Sequence, residues 1–457
     1  MIDFTTFILV LGALQLICTF VGSRSSGQLI NQSDYFLASR QVHCFPLAMT
    51  FLATQIGGGI ILGAANEAYH FGWSVLFYPL GLSLGFAFLA CGIGKRLAQF
   101  DVATVAQLLE TVYRSQQLRR LASLLSIASL FMILTAQLIA SRQFLWSIGI
   151  GRLDLFIAFW AIVFLYTTAR GLRGIIAIDI VQAGFFIIVF AAAFANIFFF
   201  DNFSFPELMV QQEEFILDTS KLTGWLLMPL LFIVIEQDMA QRCFAARSPA
   251  IVTHAAAWSA AATFFIAAVP ISLGILGKMK QISIPEGESA LMAVVKHVMN
   301  PHMAALVGCA VIMAIVSTAV SLINAISSNI TQDFFSPKPN SQGQKDVRLS
   351  RWISSGIASA ALFFSLFSNE IVDVLIQSYE LSVSCFFVAV FTALFHKNAD
   401  KSSAYASLFC GAAGFILFRF ISCPVPRELA TLLLSAMGYI IVALWQQLRK
   451  PSEAMGL

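Results

Sequence analysis

Thirteen stretches of mostly apolar residues follow one another along the chain. They run roughly 4–22, 45–69, 72–94, 120–148, 153–169, 174–200, 222–244, 250–277, 290–330, 350–368, 371–395, 402–421 and 428–447. An apolar run of about 20 residues, coiled as a helix, matches the ~30 Å hydrocarbon core of a bilayer. Only helices and closed barrels satisfy their backbone groups there. The ten-residue alternation that marks a barrel is absent. Hydrophobic residues make up 58% of the chain and charged residues 11%, against about 25% charged in a soluble domain. The expected fold is an all-α membrane protein of about 13 transmembrane helices, one domain over 1–457. Segment 4–22 is preceded only by Asp3, with no basic region before it. It reads as a retained span rather than a cleaved leader.

Thirteen spans put the two termini on opposite sides, and the loop charges choose the orientation. With the N-terminus outside, nineteen of the 27 lysines and arginines fall on inside loops and seven on outside loops, with Arg142 near a helix end. That bias follows the positive-inside rule. The expectation is a multi-pass protein of the plasma (inner) membrane with a cytoplasmic C-terminus. The outside loop around 200–221 is acidic (Asp201, Glu207, Glu213, Glu214, Asp218). The eight cysteines are scattered without a CxxC pair and read as small apolar side chains. The six histidines lack metal-ligand spacing, and no nucleotide-binding loop is present. Composition therefore points away from an enzyme, a nucleic-acid binder or a protein with an organic cofactor. The chain is expected to act as a monomer in the bilayer.

Residues 52–63, LATQIGGGIILG, lie inside the second apolar segment. Each glycine costs about 1 kcal/mol in a helix interior. Spaced glycines serve close helix packing, and Gly59 with Gly63 forms a GxxxG. Three adjacent ones point to a broken helix instead. Carbonyls freed around Ala53 to Gly57 are able to ligate a cation there, with a half-helix N-terminus facing an anionic group. The segment LTGWLLMPLLFIVIEQDMAQR holds Pro229 and then Glu236, Gln237 and Asp238 before Arg242. A carboxylate in a bilayer costs several kcal/mol unless paired or wet. Two readings stand: a functional second break with Glu236 as its deepest residue, or the cytoplasmic end of an ordinary helix.

Segment 290–330 contains AIVSTAVSLINAISSN. Ser317 and Ser321 share a helical face, with Thr318 one position around. Such hydroxyls bond back to their own helix, or together supply hard oxygen ligands to a small cation. Asp179 sits about eight residues inside the basic end at Arg170 and Arg173. It is read equally as an arginine partner or as part of an ion or proton path. Glu380, Gln137, Ser141 and Arg142 are weaker candidates. Trp73 and Tyr78 read as interface or packing residues.

These stretches, in this order, resemble the sodium/solute symporter family along nearly the whole chain. The resemblance is carried by DYFLASR at 34–40, the GGG interruption, GLRGIIAIDIVQ at 171–182, EQDMAQRCFAARS at 236–248 and AIVSTAVS at 314–321. It implies the leucine-transporter-like architecture. That is a five-plus-five inverted repeat over 45–200 and 222–395, with one extra helix before it and two after. It implies a sodium site on the carbonyls of Ala53, Ile56 and Ala314 and the hydroxyls of Ser317 and Thr318. Members with a second sodium imply Asp179 and Ser321, but Val320 stands where those members often carry another hydroxyl. It implies a solute between Gln55, Gly57 and Gly58 on one side and Glu236 and Gln237 on the other. The glycine motif is similar to that of the choline-carrying branch, whose tryptophan is here Gln55. Sugar carriers have an amide where this chain has Glu236, and a carboxylate suits an amine.

The expected function is a secondary active transporter, with sodium-coupled symport of a small organic solute into the cell by alternating access. The solute class is an amino acid, an amine or a related zwitterion or cation. Sodium is the coupling ion. A proton-coupled carrier using Asp179 or Glu236 is the alternative, as is a solute sensor that has lost transport. A sensor would add a signalling domain, and a channel would show a repeated filter. Neither is legible.

Overall fold

Each of the thirteen apolar segments coincides with helix in the computed structural model, which describes residues 2–26, 32–168, 171–200, 219–335, 343–396, 399–421 and 423–449. The acidic stretch 201–218 lies outside the described residues. Apart from one bridge between Val42 and Ala246, no β-structure occurs among the described residues. Nine of the described helices are long and apolar enough to cross a bilayer, or ten when Lys221–Ile235 and Gln237–Ala245 count as one bent span. The fold is all-helical.

Burial separates inner from outer helices. The most apolar window of Pro301–Phe334 is 94% buried, while those of Phe4–Ser25 and Arg427–Leu448 are 17% and 28% buried. The outer helices keep large apolar side chains on their surface, such as Leu16, Phe20, Ile441 and Leu448. A soluble protein rarely exposes so many together, and lipid is the medium that tolerates them. Pro301–Phe334 is the central post. Gln116–Ser147, Leu172–Phe200, Phe4–Ser26 and Cys44–Gln55 pack around it.

Two helices break beside this post. Cys44–Gln55 ends at Ile56, whose backbone leaves the helix (φ −84°, ψ 78°), and helix resumes through Gly59–Gly63 into Ala64–Phe71. Thr219–Ile235 ends at Glu236 (φ −63°, ψ 129°), and Gln237–Ala245 departs at 41°. The two elements also meet in extended backbone. Val42 N–H donates to Ala245 O at 3.2 Å, and Arg247 N–H to Val42 O at 3.0 Å. The DYFLASR stretch clamps this junction. Arg40 pairs with Asp101 at 2.8 Å and donates to the carbonyls of Phe100, Val102 and Phe244.

Three local expectations are corrected. Segment 290–330 is two helices, Ala290–Val298 and Pro301–Phe334. Asn300 caps the second, its side chain accepting from Met303 N–H, and Pro301 occupies the first turn, where its missing N–H costs nothing. A further helix, Val105–Tyr113, precedes the fourth segment. Its cap is Thr104, and Gln107 Oε1 accepts from Ala103 N–H at 2.8 Å, a threonine-x-x-glutamine start. Arg242, counted above among the inside loop charges, is fully buried. The break at Glu236 turns its helix inward, where polar partners satisfy it.

Candidate functional site: an oxygen cluster and a closed pocket between two broken helices

The end of the first half-helix meets the middle of Pro301–Phe334. Ser317 Oγ lies 2.7 Å from Ala53 O and 2.8 Å from Ala314 O. Thr318 Oγ1 lies 3.2 Å from each of the same carbonyls. Ser317 and Thr318 are helical neighbours, so both hydroxyls reach the carbonyl that the break leaves near the helix end. Four oxygens are thus gathered in a fully buried place. Hard oxygen donors without a nitrogen or sulfur are the set a small monovalent or divalent cation prefers. Ile56, the fifth residue implied, is the first beyond the helix.

A second group of side chains spans the two breaks. Gln55 Nε2 donates to Glu236 Oε2 at 2.5 Å, across a separation of 181 residues. Both side chains are buried. With Thr54, Gly59, Tyr78, Gln137, Thr318 and Tyr379 they line a pocket of about 10 Å³, the room of roughly one water. Tyr379 stacks on Phe232 with ring centroids 4.4 Å apart, and its hydroxyl lies 3.4 Å from that of Tyr78. In this conformation the two half-helices touch, and the Gln55 amide occupies the Glu236 carboxylate.

Not every expected solute residue faces this pocket. Gly58 N–H donates to Gln137 Oε1 at 2.7 Å, so its donor is already used. A methyl group on Gly57 would stand 2.6 Å from Gln137 Oε1, and one on Gly58 would meet Ala140 Cβ. Gly57 is required by the close approach of both Thr318 Oγ1 and Gln137, Gly58 by that of the Gln116–Ser147 helix, and Gly59 lines the pocket beside them. Gln237 turns away: its amide donates to Ala103 O at 3.1 Å and accepts from Val105 N–H at 2.8 Å. It holds the loop before Val105–Tyr113. Replacing Gly58 by alanine is expected to lower the melting temperature in detergent, a cost of about 1–3 kcal/mol from overpacking. An unshifted melting curve would mean Ala140 yields freely.

Asp179 and Ser321 are brought together by Arg242. Its Nη2 donates to Ser321 Oγ at 2.6 Å and stands 3.7 Å from Asp179 Oδ2. Its Nε donates to Thr50 Oγ1 at 2.9 Å, and Thr50 Oγ1 donates to Asp179 Oδ2 at 2.5 Å. Asp238, one turn before Arg242, is fully buried, and among the described residues neither carboxylate oxygen has a hydrogen-bond partner. Of the weaker candidates, Gln137 lines the pocket, while Arg142 and Glu380 make contacts away from it. Arg142 donates to Ser368 O and Asn369 Oδ1 at 2.6 and 2.7 Å, and Glu380 pairs with Arg427 at 3.3 Å.

Comparison with known proteins follows the same outline. A sodium/proline symporter of Haemophilus influenzae is 24% identical over 413 residues, covering 84% of this chain and 82% of that one. A sodium/pantothenate symporter of Escherichia coli is 30% identical over 165 residues, 35% of this chain and 34% of the relative. Two solved structures share the fold. One is the substrate-bound outward-open state of a Na+-coupled sialic acid symporter, with TM-score 0.75, 17% identity and coverage of 95% and 96%. The other is a nucleobase-cation-symport-1 family transporter in a closed conformation with bromovinylhydantoin bound, with TM-score 0.63, 16% identity and coverage of 92% and 96%. The sodium:solute symporter description matches residues 35–411. That is most of the chain and includes both breaks, and the protein therefore belongs to the sodium:solute symporter family.

Proposed function

We propose that this transporter carries one small ammonium-bearing solute, an amino acid or amine, into the cell together with sodium. The observation that carries the reading is the contact between Gln55 and Glu236 across the two helix breaks. Glu236 offers a carboxylate where the solute would lie, and Gln55 holds it until a better donor arrives. An ammonium group with three donors replaces the amide and draws the half-helices around the solute. The relative named for proline supports an amino-acid class.

Sodium binds at Ala53, Ile56, Ala314, Ser317 and Thr318 in this reading. Thr318 belongs to both places, because it sits in the oxygen cluster and lines the pocket. The ion fixes the end of the first half-helix and thereby shapes the solute pocket. One sodium moving through 100 mV contributes about 2.3 kcal/mol, and its concentration gradient adds to that. The pocket is closed at present, so uptake requires the half-helices to part toward each side in turn. The layout is thirteen spans, with inverted repeats over 45–200 and 222–395 and the N-terminus outside.

A screen of the purified protein by thermal shift tests this, with amino acids, amines, sugars and carboxylates in sodium or potassium salt. Stabilisation by an ammonium-bearing compound in sodium, and not in potassium, is the expected result. Equal stabilisation in both salts would remove the sodium coupling. Stabilisation by sugars alone would remove the solute class.

A further inference from the structure

We propose that the chain holds a second solute place, a cavity at the end of Thr219–Ile235 opposite Glu236, which takes a small zwitterion by its carboxylate and its ammonium group. The inference rests on the ammonium-solute reading above and narrows its ligand to an amino acid.

The closed pocket beside Glu236 has the room of about one water. At the other end of the same helix lies a cavity of about 540 Å³, within the range of small-molecule sites. Its walls are the starts of Thr219–Ile235 and Val372–Ser382 and the turn between Lys401–Leu417 and Arg427–Arg449. In the layout proposed above this end faces outside. Trp225 and Phe418 give the cavity an apolar side, and Lys221, Asp373 and Arg427 bring charges of both signs to it.

These charges are not spent on one another. Arg427 is fixed by two buried carboxylates, with Nε 3.3 Å from Glu380 Oε2 and Nη2 3.3 Å from Glu428 Oε1. Its Nη1 has no partner among the described residues, and the side chain is 34% exposed. A guanidinium held in this way offers a rigid donor to a carboxylate. Lys221 Nζ stands 3.8 Å from the Phe71 ring centroid and 3.7 Å from Glu67 Oε2. That last distance is too long for a hydrogen bond, so the ammonium keeps donors to give. Asp373 is exposed, and no basic side chain pairs with it among the described residues. An amino acid answers all three: its carboxylate goes to Arg427 and Lys221, its ammonium to Asp373, and its side chain to Trp225 and Phe418. A simple amine leaves Arg427 unanswered, and a simple carboxylate is opposed by Asp373.

Lys221 gives the cavity a part in transport. It stands on the second broken helix, while Glu67 and Phe71 stand on Ala64–Phe71, the continuation of the first. Their contact ties the two broken helices at this end. A solute carboxylate competes with Glu67 for the ammonium, so an amino acid waiting in the cavity loosens the tie.

Cys423 lines the cavity and is exposed, so its alkylation by a small maleimide reports occupancy. The measurement is mass spectrometry on the purified full chain in detergent, with the exposed Cys91 as control. Each common L-amino acid is added singly, in sodium or potassium salt, beside ethylamine, acetate and micellar phosphatidylethanolamine. At least one amino acid is expected to slow alkylation of Cys423 at least about fivefold in both salts, with Cys91 unchanged. Asp373→Asn and Lys221→Gln, both at exposed side chains, should each require about tenfold more of that amino acid for the same protection. Glu236→Gln, at the other end of the helix, should keep the protection. Absence of protection by every amino acid would overturn the proposal, as would equal protection by ethylamine or acetate, or full protection in Asp373→Asn. Protection by phosphatidylethanolamine alone would give the cavity to a lipid headgroup and overturn it. Loss of protection in Glu236→Gln would make the cavity part of the inner site, not a second place. Protection without sodium-dependent uptake would defeat the transport reading and leave the cavity standing, and uptake without protection would do the reverse.

Discussion

Glu236→Gln is expected to lower uptake of an ammonium-bearing solute at least about 100-fold while leaving the fold intact. The substitution keeps size and shape, and glutamine can still accept a hydrogen bond from the Gln55 amide, which now sits 2.5 Å from Glu236 Oε2. What it removes is the charge that distinguishes an ammonium donor from an amide donor. Hydrogen bonds to a charged acceptor are worth roughly twice those to a neutral one. The loss should therefore fall on the solute and not on the closed conformation. Removing the Glu236 charge also relieves its like-charge repulsion with Asp238, two residues on, so the melting temperature should hold or rise. The measurement is uptake into proteoliposomes under an inward sodium gradient, beside a melting curve in detergent. Unchanged uptake kinetics in a protein that melts normally would remove Glu236 from the solute site.

Much of this site was legible before any coordinates, for particular physical reasons. Three adjacent glycines and a carboxylate within apolar segments are both costly in a bilayer, and cost of that kind marks Gly57 and Glu236 from composition alone. Hydroxyls at 317 and 318 were recognisable because helical spacing puts them on neighbouring faces. The depth of Arg242 was not legible, because a basic residue near the end of an apolar run is ordinarily a loop charge. Its burial depends on the 41° turn at Glu236 and on Asp179 and Ser321, which lie 63 and 79 positions away in the chain. Side-chain direction was equally hidden. Gln237 follows Glu236 directly, yet helical rotation sends it to the loop at Ala103 and Val105. The partner of Gly58 N–H is Gln137, 79 residues on, and no periodicity within either segment announces that meeting. The start of Val105–Tyr113 and the split at Asn300–Pro301 were missed, although Thr104 with Gln107 and the Asn300–Pro301 dipeptide carry helix-start signals that would have found them.

Ser317→Ala combined with Thr318→Ala is expected to weaken sodium binding by about tenfold to hundredfold, and with it sodium-dependent solute binding. In the present conformation the two hydroxyls contact the Ala53 and Ala314 carbonyls at 2.7 to 3.2 Å. A hydrogen bond or ligand contact to a charged partner is worth about 1.5–3 kcal/mol, which is the range just stated when two are lost without full additivity. Alanine fits both positions of a buried helix and has the higher helix propensity, so the protein should fold. The Ala53 carbonyl, however, sits near the end of a half-helix, and without the hydroxyls it loses the donors of Ser317 and Thr318. The first break then loses both its ion and its hydrogen bonds, and the half-helix Cys44–Gln55 should become mobile. Because Thr318 also lines the solute pocket, solute affinity should fall with sodium affinity, not independently of it. The deciding experiment measures thermal stabilisation by sodium across a concentration series, with and without solute, for the native protein and each single variant. If sodium stabilises the double variant at native concentrations, the ion binds elsewhere, and the oxygen cluster at Ala53 serves only to close the break.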